Sequence, residues 1–185
     1  SITVSSGAGM AMGYAFDGGD IDARQNGHAF GVSRDSALIR TNGSGAAAHG
    51  YATGVGSQIQ ATTSGSFAGG DARLGGDVIA TTGIAGFANG YAGEKGLVRA
   101  WGIAATAFGR AKCGAAAAGT ATVQALGDGS FAQGQAIGSS TGIALIETKL
   151  TNGRGAFAQG YAEANASYNA SIESRNYGSF AQGNA

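Results

Sequence analysis

One six-residue phrase constrains this chain more than anything else in it. Written as apolar-Ala-x-Gly-x-Ala, it appears nine times: MAMGYA at 10–15, HAFGVS at 28–33, AAHGYA at 47–52, FAGGDA at 67–72, FANGYA at 87–92, TAFGRA at 106–111, FAQGQA at 131–136, FAQGYA at 157–162 and FAQGNA at 180–185. Its glycines are Gly13, Gly31, Gly50, Gly70, Gly90, Gly109, Gly134, Gly160 and Gly183, with successive separations of 18, 19, 20, 20, 19, 25, 26 and 23 residues. A fixed period of this length marks an array of stacked units, none of which can bury its apolar face alone.

A second track keeps step with the first. Ile39, Ile59, Ile79, Val98, Val123 and Ile172 each lie eleven residues before a motif glycine, and Ile21 lies ten before one. Between Gly134 and Gly160 the track blurs into IALIETKL. Each unit therefore holds two short segments separated by Gly, Ser, Asn and Asp.

Helix is a poor reading of either segment despite the alanines, because each interior glycine costs about 1 kcal/mol against alanine. Strand fits both. In SFAQGQA, Ala132, Gly134 and Ala136 fall on one face and Phe131, Gln133 and Gln135 on the other. A face this small calls for another backbone packed very close. Phe67, Phe87, Phe131, Phe157 and Phe180, with the Ile/Val track, predict a stacked apolar ladder. The expected fold is all-β: a β-solenoid or parallel β-roll with about 19–20 residues per coil and longer coils after residue 110. It reads as a single repeat domain over 1–185, regular over 1–110, with loop insertions over 111–185.

Composition narrows the function. The formal net charge is zero and 12% of residues are charged, which argues against nucleic acid or an anionic membrane surface, since both select a basic surplus. No apolar run reaches the roughly 20 residues of a membrane span. Cys113 is the one cysteine, so the chain has no disulfide framework; among the small residues of RAKCGAAAAG it reads as a buried thiol.

SFAQG at 130–134 and 179–183, and AFAQG at 156–160, resemble the SVAIG-type repeats of YadA-like trimeric autotransporter adhesin heads. Related repeats occur in trimeric phage tail fibres. The resemblance covers most of the chain loosely and is close at those three sites; the repeat here is longer. It implies a left-handed parallel β-roll, a parallel homotrimer, an extracellular place on a bacterial surface or a virion, and a head that binds a host or neighbouring-cell protein or glycan.

The candidate binding residues are Tyr14, Tyr51, Tyr91 and Tyr161, which share the place after the motif glycine. Amphipathic rings in such a column suit a sugar or a protein surface. The segments 112–128, 137–154 and 163–177 are expected as loops and as alternative binding elements, and they would carry Glu147 and Glu163, with Glu173. His28 and His49 fall two places apart in the motif and read as surface residues. Asp17, Asp20, Asp22, Asp71 and Asp77 sit beside glycines and read as turn chemistry. Neither a metal nor another cofactor is expected, and no nucleophile–base set is visible. The ATT runs at 61–63 and 80–82 raise the alternative of a monomeric ice-binding solenoid, which would need threonines in register over many coils. The leading expectation is a non-catalytic adhesion head; the alternatives are a tail-fibre receptor-binding segment and the ice-binding solenoid.

Overall fold

The computed structural model describes residues 1–185 except 5–8, 25, 44, 63–64, 74, 82–85, 95, 114–118, 139–141 and 165–168. Among the described residues the regular structure is entirely β. The chain alternates between two sheets. One stacks Ile2–Val4, Ile21–Ala23, Ile39–Asn42, Gln58–Thr62, Asp77–Thr81, Leu97–Trp101, Thr120–Leu126, Ile143–Arg154 and Ala170–Tyr177, in that order. The other stacks Met10–Ala11, His28–Ala29, Ala47–Ala52, Phe67–Ala72, Phe87–Ala92, Thr106–Lys112, Phe131–Ile137, Phe157–Glu163 and Phe180–Asn184. In its first two levels that second sheet resumes after the motif glycine, as Tyr14–Ala15 and Val32–Ser33. Every pairing is parallel, each strand on the one a repeat earlier, giving a parallel, roll-like architecture.

The register keeps identical motif places side by side. Gly50 pairs Gly70, Gly70 pairs Gly90, and so on through Gly160 and Gly183. The second motif place, Ala48, Ala68, Ala88, Ala107, Ala132 and Ala158, is fully buried, as is Ala52, Ala72, Ala92, Ala111 or Ala136 at the sixth. Opposite them runs a ladder of Ile21, Ile39, Ile59, Val78, Val98, Val123 and Ile146, all without exposed surface. This column, with its alanines, is the core.

The glycine column exists because the ladder does. Gly13, Gly31, Gly50, Gly70, Gly90, Gly160 and Gly183 each face the ladder residue of their own repeat across the core. A Cβ on Gly50 would stand 2.7 Å from Ile39 Cδ1, and one on Gly70 the same from Ile59 Cδ1. It would also run into the carbonyl oxygen of the glycine one level below. At φ of +147° and +125°, Gly50 and Gly70 adopt a conformation that residues with a Cβ rarely take.

Three expectations are corrected. The buried rung in the fourth repeat is Val78, paired with Ile59, whereas Ile79 pairs Gln60 and points outward. Eleven residues back from Gly90 is one too few there, because strand alternation and not residue count decides which side faces the core. The blurred repeat resolves to Ile146, paired with Val123 and Ile172. Finally, 112–128, 137–154 and 163–177 are not loops throughout: much of each is strand, in Thr120–Leu126, Ile143–Arg154 and Ala170–Tyr177. Part of the inserted length goes into longer strands and a register shift between Lys149 and Arg154. Glu147 and Glu173 accordingly sit on strands, and Glu163 ends one.

Candidate functional site

The outer face of the glycine sheet carries two parallel columns. The first is aromatic. Phe30, His49, Phe67, Phe87, Phe108, Phe131, Phe157 and Phe180 follow one another with centroid separations of 6.1, 6.4, 5.4, 5.9, 5.3, 5.1 and 5.4 Å. Phe67–Phe87, Phe131–Phe157 and Phe157–Phe180 stack nearly parallel. Such offsets lie in the favourable range for aromatic pairs, about 0.5–1.5 kcal/mol each. Phe67, Phe87, Phe108, Phe131 and Phe157 are half-exposed, and Phe30, His49 and Phe180 are exposed.

Phe67, Phe87, Phe131, Phe157 and Phe180 were legible as a column from the motif's first place. Phe30, His49 and Phe108 were not, because they occupy the third. For His49 and Phe108 the signal was complementary substitution. Where the first place holds Ala47 or Thr106, a ring appears two residues later, at His49 or Phe108; where it holds Phe67, Phe131 or Phe157, the third place is Gly69, Gln133 or Gln159. Alternate residues share a face, so a ring from either place can meet its neighbours. His28, by contrast, pairs Met10 and Ala47 and has no ring contact with the run among the described residues.

The second column is the motif's fifth place. The register orders it Tyr14, Val32, Tyr51, Asp71, Tyr91, Arg110, Gln135, Tyr161 and Asn184. The tyrosines share a column as expected, but not as nearest neighbours. Tyr14, Tyr51 and Tyr91 recur at every second level; Tyr161 lies further along and donates its hydroxyl to Glu163 at 3.0 Å. That bond raises the Tyr161 hydroxyl above its ordinary pKa. Arg73 lies 5.0 Å from the Tyr51 ring centre, and its Nε and Nη2 donate to Asp71 Oδ2 at 3.0 and 2.8 Å. Arg110 lies 6.0 Å from the Tyr91 ring centre. Asp71 Oδ1 is shielded and has no hydrogen-bond partner among the described residues.

The opposite sheet's outer face is mixed, with Ile79, Leu97, Trp101 and Ile143 beside a polar column. Arg99 donates to Gln124 at 2.7 Å, Gln124 to Glu147 at 2.7 Å, and Arg175 stands 4.0 Å from the buried Glu147. Arg175 also donates to Glu173 and draws its carboxyl below the usual range. On this sheet burial pushes Asp77 up to about 6, against the pull of Arg99 and a hydrogen bond with Gln58. Burial, then the neighbouring Asp22, raises Asp20 as well. Thr62 pairs Thr81 on one side and Asn42 on the other; Thr63 and Thr82 lie outside the described residues. Cys113 is a buried cysteine outside any disulfide. Among the described residues no three His, Cys, Asp or Glu side chains gather as a metal set. Among the described residues no helix is long and apolar enough to cross a membrane.

The class these features define is an all-β protein of parallel, roll-like architecture, whose glycine sheet carries an aromatic column beside a mixed tyrosine column. No family model, curated protein or solved structure matches the chain.

Proposed function

We propose that this chain is the non-catalytic binding head of an extracellular fibre on a bacterial surface, acting as a parallel homotrimer. The observation that carries the reading is the aromatic ladder. Eight rings in continuous contact along one outer face form an apolar stripe of the kind that marks an interaction surface. Copies related by a rotation axis along the stack would bring like rings to the same height, so that one repeated surface closes on itself. The core is thin, built from alanine and one branched residue per repeat, and covering the ladder would add a second apolar layer. Each further ring buried contributes on the order of 1 kcal/mol.

The fifth-place column is well placed for binding. It lies two residues along the strand from the third place and four from the first, roughly 7 and 13 Å. A partner copy seated on the rings would leave it at the margin, presented three times. Weak single contacts then gain by avidity.

Solution mass by light scattering coupled to size exclusion tests the reading. Wild type should run at three times 17.9 kDa, and F87S/F131S should run at the single-chain mass with its far-ultraviolet dichroism retained. A wild-type monomer at micromolar concentration would overturn it.

A further inference from the structure

We propose that Tyr14, Tyr51 and Tyr91, with Asp71 between the last two, form a binding surface for an extended, neutral, β1,4-linked pyranose chain. The inference deepens the proposed binding role and rests on it for its biological sense, though the site is complete within one chain. Its basis is the period. Tyr14–Val32–Tyr51–Asp71–Tyr91 are consecutive rungs of one column. Two levels of a parallel sheet measure about 9.5 Å, so the three rings span about 19 Å in line. In a β1,4-linked chain each sugar is turned over relative to the last. The same apolar ring face therefore returns once per disaccharide, a length close to two sheet levels. A ligand lying along the stack would meet a tyrosine with every second sugar. An α1,4-linked chain curls and would lose the register after one contact.

The groups around the rings suit this ligand. Arg73 and Arg110 pack on Tyr51 and Tyr91, which fixes the rings before a ligand arrives and reduces the ordering cost of binding. Arg73 is itself held by Asp71 Oδ2. Asp71 lies between the two tyrosine levels with its side chain part-exposed; Oδ1 is shielded, so the acceptor it offers a sugar hydroxyl is Oδ2, which also holds Arg73. Arg73 and Asp71 cancel as an ion pair, so the gap between Tyr51 and Tyr91 carries no net charge of its own and suits a neutral glycan, with Arg110 the cation beyond Tyr91. Val32, between Tyr14 and Tyr51, is half-buried and offers apolar contact to the intervening sugar.

The test is titration calorimetry of the full chain with cellohexaose, chitohexaose and maltohexaose. At least one of the two β1,4-linked probes should bind, at least about tenfold tighter than maltohexaose. Y51A and Y91A should each weaken binding about tenfold or more, while Y51F and Y91F, which keep the ring, should stay within about threefold of wild type. D71N should weaken it severalfold, and Q133A, in the neighbouring column, should leave it unchanged. Binding of neither β1,4-linked probe, equal binding of maltohexaose, or wild-type affinity in Y51A and Y91A would each overturn the proposal. The two readings separate cleanly. A trimer that binds no probe removes the glycan surface and leaves the fibre head; a monomer that binds chitohexaose does the reverse.

Discussion

Replacing one motif glycine by alanine should cost different amounts in different repeats, and the structure says which. Gly70 has φ of +125°, and a Cβ there would stand 2.7 Å from Ile59 Cδ1 and closer still to the Gly50 carbonyl oxygen. G70A therefore combines strain of about 1–3 kcal/mol for the backbone conformation with about 1–3 kcal/mol of overpacking. Gly90 lies outside the positive-φ set, and its facing rung is the shorter Val78, 3.1 Å from the added Cβ. G90A should keep only the overpacking part, about 1–3 kcal/mol. Both substitutions stiffen the unfolded chain equally, by about 0.4–1 kcal/mol, so that contribution cancels in the comparison. Urea unfolding followed by far-ultraviolet dichroism, at one protein concentration, should then show G70A less stable than G90A by about 1–3 kcal/mol with unchanged m. The pair I59V and G70A adds a sharper check. I59V removes the Cδ1 atom that the new Cβ would meet, so the double variant should be more stable than the sum of the singles by at least about 0.5 kcal/mol. Equal costs at Gly70 and Gly90, or strict additivity with I59V, would refute the account of glycine as the socket for the facing rung.

Two further outcomes are expected. Ile59 has no exposed surface and Ile79 is on the outer side of its strand, so I59A should lose about 2–5 kcal/mol and I79A no more than about 1 kcal/mol; similar losses in urea titrations would contradict the register. Asp77 has its pKa raised from 3.8 to about 6, chiefly by burial, so the folded chain holds this proton more tightly than the unfolded chain does. Its favourable contribution is full below 3.8 and is lost as pH rises through about 6. The stability of wild type relative to D77N should thus fall across that window and level off above it; a difference independent of pH, or one that grows with pH, would contradict the assignment.

How far the sequence reaches follows from what a repeat encodes. The two-strand unit and the parallel stacking were readable because each level sets the same local problem, and the answer shows as Ala at two inner places and Gly between them. The ladder across the core was readable for the same reason, since Ile39, Ile59, Val98 and Val123 stand at one distance from their glycines. It failed at Val78 and Ile79, adjacent residues of similar apolarity, where separation in sequence carries no information about which side of the strand is buried. The inserted repeats failed differently. Extra residues among Gly, Ala, Ser and Asn look like loop in any window, yet Thr120–Leu126 and Ala170–Tyr177 extend strands because a neighbouring level already offers a paired edge. That edge is a tertiary fact. The outer face divides along the same line. The tyrosine column could be listed from the motif alone, but its period of two levels and its link to Asp71, Arg73 and Arg110 come from interleaving repeats whose fifth places differ. The aromatic ladder is the extreme case: Phe30, His49 and Phe108 continue the surface from the third place, which the motif leaves unspecified. A rule on letters at one place misses them, whereas a rule on the face shared by the first and third places recovers them. What recurs through these repeats is thus two kinds of constraint, residue identity on the inside, where one methyl group collides with a neighbouring backbone, and only aromatic coverage on the outside, where either of two places can supply the ring.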